Sequence, residues 1–400
     1  MNRPAALNPP GSKTTSAAEA PSGTSALFPY RLRVGQERII SEVEGLGRMG
    51  GALLVEASTG LGKTVATLAP LLEHAERADH RILYLVRTHA QQTQVMNEVR
   101  AIARRAGRPV LAIGLAGRQR RCFLLESFSE FQSATAEESG KLCADRKRAT
   151  SVSMDPSFLL TPPVELPASA SVDLPDLDGC PYYARVLQAD LDALVDRFAE
   201  RLPTPGEFEE YTRGENLCAY ELSKKLAGRA RIVTAPYAFF FHPHVRRSLF
   251  EWMGVGPDRI DLVVDEAHNL PDYLRDLTSV ALPREAIRRA RSELAERGDF
   301  AFPEGMHATE LFDRVGEVID ALVREFAPED DGLLPPGAFE DGLLSAVGGT
   351  SLRLDTLLGS MVSWGEALRE ERRKARQVPR SAVHSVALTL LNWPRLEPPH

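Results

Sequence analysis

The sequence predicts an α/β protein built on an open parallel sheet, on three observations. Short apolar segments at residues 51–55, 81–86, 109–114, 230–234 and 259–265 are interleaved with stretches of helical apolar spacing, and strand alternating with helix implies parallel pairing. The first of these segments runs through glycines into Gly62-Lys63-Thr64 and a helical pattern. The last one ends in the adjacent carboxylates Asp265 and Glu266, so charged chemistry emerges at the C-terminal edge of the predicted sheet.

With 400 residues and 43% hydrophobic content, more than one globular unit is expected, because single cores rarely grow past roughly 250 to 300 residues. Residues 1–27 mix Pro, Ala, Ser, Thr and Gly with few large apolar side chains and read as a disordered tail. The sheet pattern occupies 28–115, lapses over 116–228 and resumes over 229–282, so something is inserted into it. Within the lapse, the Pro/Ser-rich segment 150–171 reads as a loop. Beyond 283 the spacing is helical at 284–297, 307–326 and 352–376, which predicts a helical domain to residue 400. A net charge of −7 and a pI of about 5.8 exclude a uniformly basic coat, so any nucleic-acid contact is local. Neither a membrane-spanning run nor a signal core is present in the sequence, and the expectation is a soluble cytoplasmic protein, nucleoid-associated if prokaryotic.

Residues 51–64 read strand, glycine turn, helix start, which is the context a phosphate-binding loop requires. Gly60 and Gly62 let main-chain N–H groups turn inward around phosphate oxygens, with Ser58, Thr59 and Leu61 completing the ATP-binding loop. The helix N-terminus adds positive potential there. Lys63 is expected to reach the β and γ phosphates and Thr64 to place its hydroxyl on Mg²⁺. A plain glycine turn before a helix is the competing reading. At the other end of the sheet, Asp265 is expected to hold Mg²⁺ and Glu266 to orient the attacking water, because ligands of open α/β sheets sit at the carboxyl ends of the strands. His268 would couple the nucleotide to the rest of the molecule. A solvated acidic turn is the bland alternative for this tetrapeptide taken alone.

Asp265-Glu266-Ala267-His268, followed by Asn269-Leu270, resembles the XPD/DinG family of superfamily 2 DNA helicases, in which Ala at the position of Ala57 is common. Arg87-Thr88-His89-Ala90-Gln91-Gln92-Thr93-Gln94 resembles that family's motif Ia, which implies DNA-backbone contacts by Arg87, Thr88 and Gln91. Phe28-Pro29-Tyr30 and Arg33-Val34-Gly35-Gln36 are similar to its entry motif, in which the Gln36 amide would recognise adenine. Thr234-Ala235-Pro236-Tyr237-Ala238 resembles the segment before the acidic strand. The resemblance covers roughly residues 28–282. It implies a RecA-like P-loop NTPase sheet with an inserted 4Fe-4S module and a helical Arch-like domain, and an ATP-dependent helicase moving 5′ to 3′. The implied partners are single-stranded DNA, DNA junctions and repair or replication proteins, with a monomer as the expected state.

Cys122, Cys143, Cys180 and Cys218 all fall in the 116–228 insertion, where the family places four cluster ligands. Their spacing is wide, with no Cys-x-x-Cys pair, and by itself does not choose iron over zinc or over plain core cysteines. The resemblance implies a [4Fe-4S] cluster, with Cys143 the ligand that spacing supports least. Arg118, Arg120 and Arg121, then Arg146, Lys147 and Arg148, flank the first two cysteines and would suit a passing DNA strand; a solvated charged face is the alternative. No Ser-Gly-Thr motif and no Gln-x-x-Gly-Arg-x-x-Arg motif follows the acidic strand, so the expectation is a partial chain lacking a second motor domain and turning over ATP poorly. Two further readings stand beside the helicase: a half-motor that binds nucleotide and DNA without unwinding, and an unrelated P-loop ATPase with a zinc module.

Overall fold

The structure, a computed structural model, describes residues 25–126, 134–153, 179–329, 331–375 and 377–393. Most of the expected N-terminal tail and of the Pro/Ser-rich segment therefore lies outside the described residues. At their margins two corrections emerge. Ser25 is buried and its hydroxyl donates to Glu73 at 2.6 Å, with Leu27 N–H on the same carboxylate at 3.0 Å. Residues 150–153, expected as loop, complete the helix Ala136–Ser153, and the Thr150 hydroxyl donates back to the Arg146 carbonyl at 2.7 Å.

Two compact units are present. The first comprises residues 1–115, 190–211 and 222–267 and holds a four-stranded, all-parallel sheet in the order β2-β3-β1-β4. Strand β1 (Arg81–Val86) lies inside, β2 (Ala112–Gly114) and β3 (Ile232–Pro236) to one side, β4 (Ile260–Val264) to the other. The run Ile82 to Val86 is buried without alternation, as expected of a strand covered on both faces. Helices α1 (Gln36–Met49), α2 (Lys63–Ala78) and α3 (His89–Ala106) share its core through Ile40, Leu68, Leu72, Met96 and Ile102. Register pairs Val86 with Pro236 and Leu85 with Val264, so Arg87, Tyr237 and Asp265 leave the sheet at one edge.

Residues 51–55 depart from the expected strand. Among the described residues they join no ladder, and Leu54 is 88% exposed. An apolar run becomes a strand only where a neighbour takes up its backbone N–H and C=O groups, and β4 is paired here on its β1 side alone.

The second unit comprises residues 116–189, 212–221 and 268–400. Its helices Arg284–Arg297, Ala308–Phe326, Ala338–Val347, Ser351–Lys374 and Ala382–Asn392 bury one core that includes Leu294, Phe312, Leu358, Met361 and Val383. The same unit contains the four cysteines, and its helix Ala136–Ser153 is tied to the late helices. Arg369, with a side chain only 7% exposed, donates to Glu137 at 2.7 Å, and Arg380 donates to Glu138 at 3.1 Å.

Gly365 marks where Ser351–Lys374 passes Ala382–Asn392: a Cβ there would stand 2.7 Å from His384 N and 2.8 Å from its Cα. Backbone cannot yield as a side-chain tip can. Gly365→Ala is expected to cost about 1–3 kcal/mol by overpacking and to lower the melting temperature, whereas Gly359→Ala on the same helix, with nothing within 4 Å, should raise it slightly. Equal melting temperatures for the two variants would show that the crossing is not tight.

Candidate functional site

The phosphate loop is shaped by two glycines in the left-handed region, Gly60 at φ 79° and Gly62 at φ 84°. Gly62 has a second reason to lack a side chain, since a Cβ would lie 2.7 Å from Gln36 Nε2. Gln36 is 3% exposed and both ends of its amide are engaged: Nε2 donates to Leu61 O at 2.6 Å and Oε1 accepts from Arg33 N–H at 2.9 Å. Arg33 in turn donates to Gly60 O at 2.7 Å. Gln36 and Arg33 thus hold Gly60 and Leu61 by their carbonyls. Lys63, the first residue of α2, donates to Ala57 O at 2.8 Å with Ser58 O at 3.5 Å, spanning the loop it belongs to. Thr59 lies in the exposed turn of the loop.

Across the sheet edge, Asp265 N–H donates to Leu85 O at 2.9 Å and extends the β1–β4 ladder past its end. Glu266 then adopts φ 50°, a left-handed conformation uncommon outside glycine, and its N–H donates to Asp265 Oδ1 at 3.1 Å. The Tyr237 hydroxyl lies against this turn, donating to Asp265 O, with Glu266 O at 3.1 Å. Burial, reinforced by the Glu266 charge, raises the Asp265 carboxyl above its ordinary range, while the Glu266 N–H and the Lys63 ammonium pull the other way. Lys63 and Asp265 therefore feel each other's charge. Tyr84 on β1 connects the two halves: its phenol hydrogen-bonds Thr64, and burial together with the Asp265 charge pushes it far up. Sequence reasoning assigned no role to Tyr84 or Tyr237; a tyrosine inside the otherwise aliphatic run 82–86 was the available signal. His268 belongs to the second unit, where Asn269 Nδ2 meets its Nε2 at 3.0 Å.

Thr88 and Gln91 have a local task. Thr88 caps α3 by accepting Gln91 N–H at 3.3 Å, and Gln91 Oε1 accepts the N–H groups of Thr88 at 2.9 Å and Arg87 at 3.0 Å. This reciprocal capping box orients the segment 87–94 at the sheet edge. Gln92, fully buried, donates to Leu115 O at 2.8 Å and Thr234 O at 3.0 Å, docking α3 against β3.

In the second unit the four cysteines converge. Cys122, Cys143 and Cys180 line one cavity together with Leu124, Leu142 and Arg146. Cys180 precedes the helix Pro181–Gln188, its N–H donating to Thr150 at 2.8 Å, and Cys218 N–H donates to Tyr182 O at 3.0 Å, which draws the last cysteine to the third. Phe123 and Tyr182 meet edge-on at 5.5 Å beside the first. Burial pushes the thiols of Cys122 and Cys218 up and that of Cys180 to about 11, and in each case the neighbouring cysteines add to the shift. Thiols shifted upward in this way stay protonated unless a cation compensates their thiolates. A tetrahedral zinc shell with Zn–S bonds of about 2.3 Å sets sulfurs roughly 3.8 Å apart. Among the described residues no three cysteines bring their sulfurs within 4.8 Å of one another.

The expected basic patch is corrected at Arg121, which is 0% exposed and directed into the unit, away from solvent. Arg118 lies over the Tyr220 ring at 4.6 Å, and Lys147 pairs with Glu221 at 3.0 Å. Arg120 and Arg148 are exposed.

The DEAD_2 family model matches residues 84–287, half of the chain. The chain is 22% identical over 355 residues to the "General transcription and DNA repair factor IIH helicase subunit XPD" of Schizosaccharomyces pombe, covering 86% of this chain and 43% of that one. It is 25% identical over 255 residues to the "ATP-dependent DNA helicase chl1" of Neurospora crassa, covering 60% of this chain and 20% of the relative. It thus spans less than half the length of these curated relatives. A solved structure, "XPD_Helicase", aligns with a TM-score of 0.47 at 18% identity over 91% of this chain and 51% of its own. With the matched range running from Tyr84 through the Asp265-Glu266-Ala267-His268 turn and beyond, the chain belongs to the DEAD_2 family, within the XPD/DinG-like superfamily 2 helicases.

Proposed function

We propose that this chain binds Mg²⁺–ATP and forms the nucleotide-binding part of an ATP-dependent DNA helicase that moves 5′ to 3′ along single-stranded DNA. One observation carries the proposal: Gly60 and Gly62, both in the left-handed region, shape a loop that opens α2 at Lys63, in the same unit whose β1–β4 ladder ends with the Asp265 N–H on Leu85 O. In this reading the loop N–H groups hold the β-phosphate, and Lys63 leaves the Ala57 carbonyl to meet the γ-phosphate. Thr64 and Asp265 would hold Mg²⁺, which neutralises phosphate charge and relieves the burial penalty on Asp265. Glu266, held in its left-handed turn by Tyr237, orients the attacking water. Gln36 positions the loop and supplies the adenine contact by rearrangement of its amide.

The four cysteines fit a [4Fe-4S] cluster: three line one cavity, Cys218 is drawn toward the third through Tyr182, and the sulfurs are spread more widely than a zinc shell needs. Bound there, the cluster would cross-link four segments of the second unit. Arg120 and Arg148 would contact DNA in the second unit, and Arg87 in the first. The relatives' names support a setting in DNA repair.

Titration with a fluorescent ATP analogue is expected to show association that EDTA weakens. Lys63→Ala should reduce it by about 10- to 100-fold, the worth of a hydrogen bond to a charged group, and Gly62→Ala should also weaken it, because alanine is strained at φ 84° and displaces the Gln36 amide. Magnesium-independent binding, or none, would overturn the assignment.

Purified without oxygen, the chain is expected to be brown and to contain iron and inorganic sulfide, and Cys180→Ser should lose both. Colourless protein with stoichiometric zinc would reject the cluster. Arg120→Glu combined with Arg148→Glu should weaken single-stranded DNA binding and flatten its salt dependence by about 0.7 in log–log slope for each phosphate no longer neutralised. An unchanged slope would assign both residues to a merely solvated face.

A further inference from the structure

The sheet unit contains a second cluster of ligand-type side chains, at the opposite end of the strands from the phosphate loop. His80 immediately precedes β1, Asp261 is the second residue of β4, and His74 lies on α2, eleven residues beyond Lys63 on the same helix. At 1.5 Å per residue that offset is roughly 16 Å, so the cluster is separate from the nucleotide site. Register holds two of its members together, because Ile82, two residues after His80, pairs with Asp261. His80 Nδ1 stands 3.0 Å from Asp261 Oδ1 and His74 Nε2 3.8 Å from the same oxygen. The two imidazoles meet edge to face with centroids 5.3 Å apart.

Three further features distinguish this trio from a chance surface group. Its side chains are only 15–26% exposed. The second carboxylate oxygen, Asp261 Oδ2, is buried without a hydrogen-bond partner, which in a folded protein calls for an unseen ion or water. The His74 ring lies where any larger residue at position 47 would stand, since a Cβ on Gly47 would be 2.9 Å from His74 Cγ and Nδ1. Of the neighbouring arginines, Arg81 donates to Ala227 O and Met253 O, while Arg231 pairs with Asp79 at 3.3 Å and donates to the main-chain carbonyls of Ala75 and His80, leaving both imidazoles to the carboxylate.

We propose that His74, His80 and Asp261 form a binding site for a divalent first-row transition cation of the zinc class. One ligand atom from each residue lies within 4.8 Å of the others. Bonds of about 2.0–2.1 Å to imidazole nitrogen and carboxylate oxygen set neighbouring ligand atoms roughly 3.3 Å apart in a tetrahedron, between the 3.0 and 3.8 Å found here. Two histidines and one carboxylate leave a coordination position for water. The cation would be a staple: it joins α2, which begins at Lys63, to β4, which delivers Asp265, and so fixes the two carriers of the nucleotide site against each other.

The test uses the full chain with its cysteines metallated under anaerobic conditions, stripped of loosely bound metal and titrated with Co²⁺ and then Zn²⁺. The expected result is one equivalent of Co²⁺ with visible d–d bands and no thiolate charge-transfer band, together with a higher melting temperature in Zn²⁺. His80→Ala and Asp261→Asn should each weaken metal affinity by more than about 100-fold, since even outer-shell changes cost 10- to 100-fold, and should remove the thermal gain. His80→Gln serves as a milder third variant where either substitution impairs folding. Absence of the d–d spectrum, or a spectrum and thermal gain that persist in these variants, overturns the proposal and leaves a hydrogen-bonded His–Asp trio.

Discussion

The proposed nucleotide site depends on the pairing of β1 with β4. β1 carries Tyr84, whose phenol reaches Thr64 behind the phosphate loop, and its Leu85 carbonyl receives the Asp265 N–H just past the end of β4. Loop and acidic turn are distant in the chain and share no helix. A register slip by one residue would turn every side chain of β4 to the opposite face of the sheet and carry Asp265 away from Lys63. The aliphatic packing of residues 82–86 between helices therefore does more than stabilise; it sets the geometry on which metal and phosphate chemistry rest.

One strained residue sits where this geometry matters. Glu266 adopts a left-handed backbone without being glycine, and the Tyr237 hydroxyl and the Asp265 carboxylate hold it there. In the candidate phosphate loop the same backbone region is occupied by glycines, and Gln36 secures the carbonyl side of the loop through Leu61 O. The second unit solves a different problem. Burial and their sulfur neighbours make three of its thiols unfavourable as anions, and the helix Ala136–Ser153, which carries Cys143, leans on a large helical core through Arg369 and Arg380.

Much of this was legible in advance. The Gly62-Lys63-Thr64 and Asp265-Glu266 motifs carry their chemistry locally, because loop shape and helix start are encoded within a few residues. The helix Arg284–Arg297 follows from apolar spacing alone. Other features were hidden because they depend on what a residue packs against. Thr88 and Gln91 read as DNA contacts and also form a helix cap; Arg121 read as part of a basic face and is buried; residues 51–55 read as a strand and find no ladder. The trio of His74, His80 and Asp261 has no motif, since 181 residues separate His80 from Asp261.

What sequence alone determined here is the chemistry at hand: a phosphate loop, a carboxylate pair, four thiols and the parallel α/β class that presents the first two at one edge. Hydrophobic periodicity and short motifs are local properties, so they survive without knowledge of the fold. Tertiary structure decided which of these groups meet, which charges are buried and which backbone groups find partners. Those outcomes follow from burial and strand register, and both are set by residues far away in the chain.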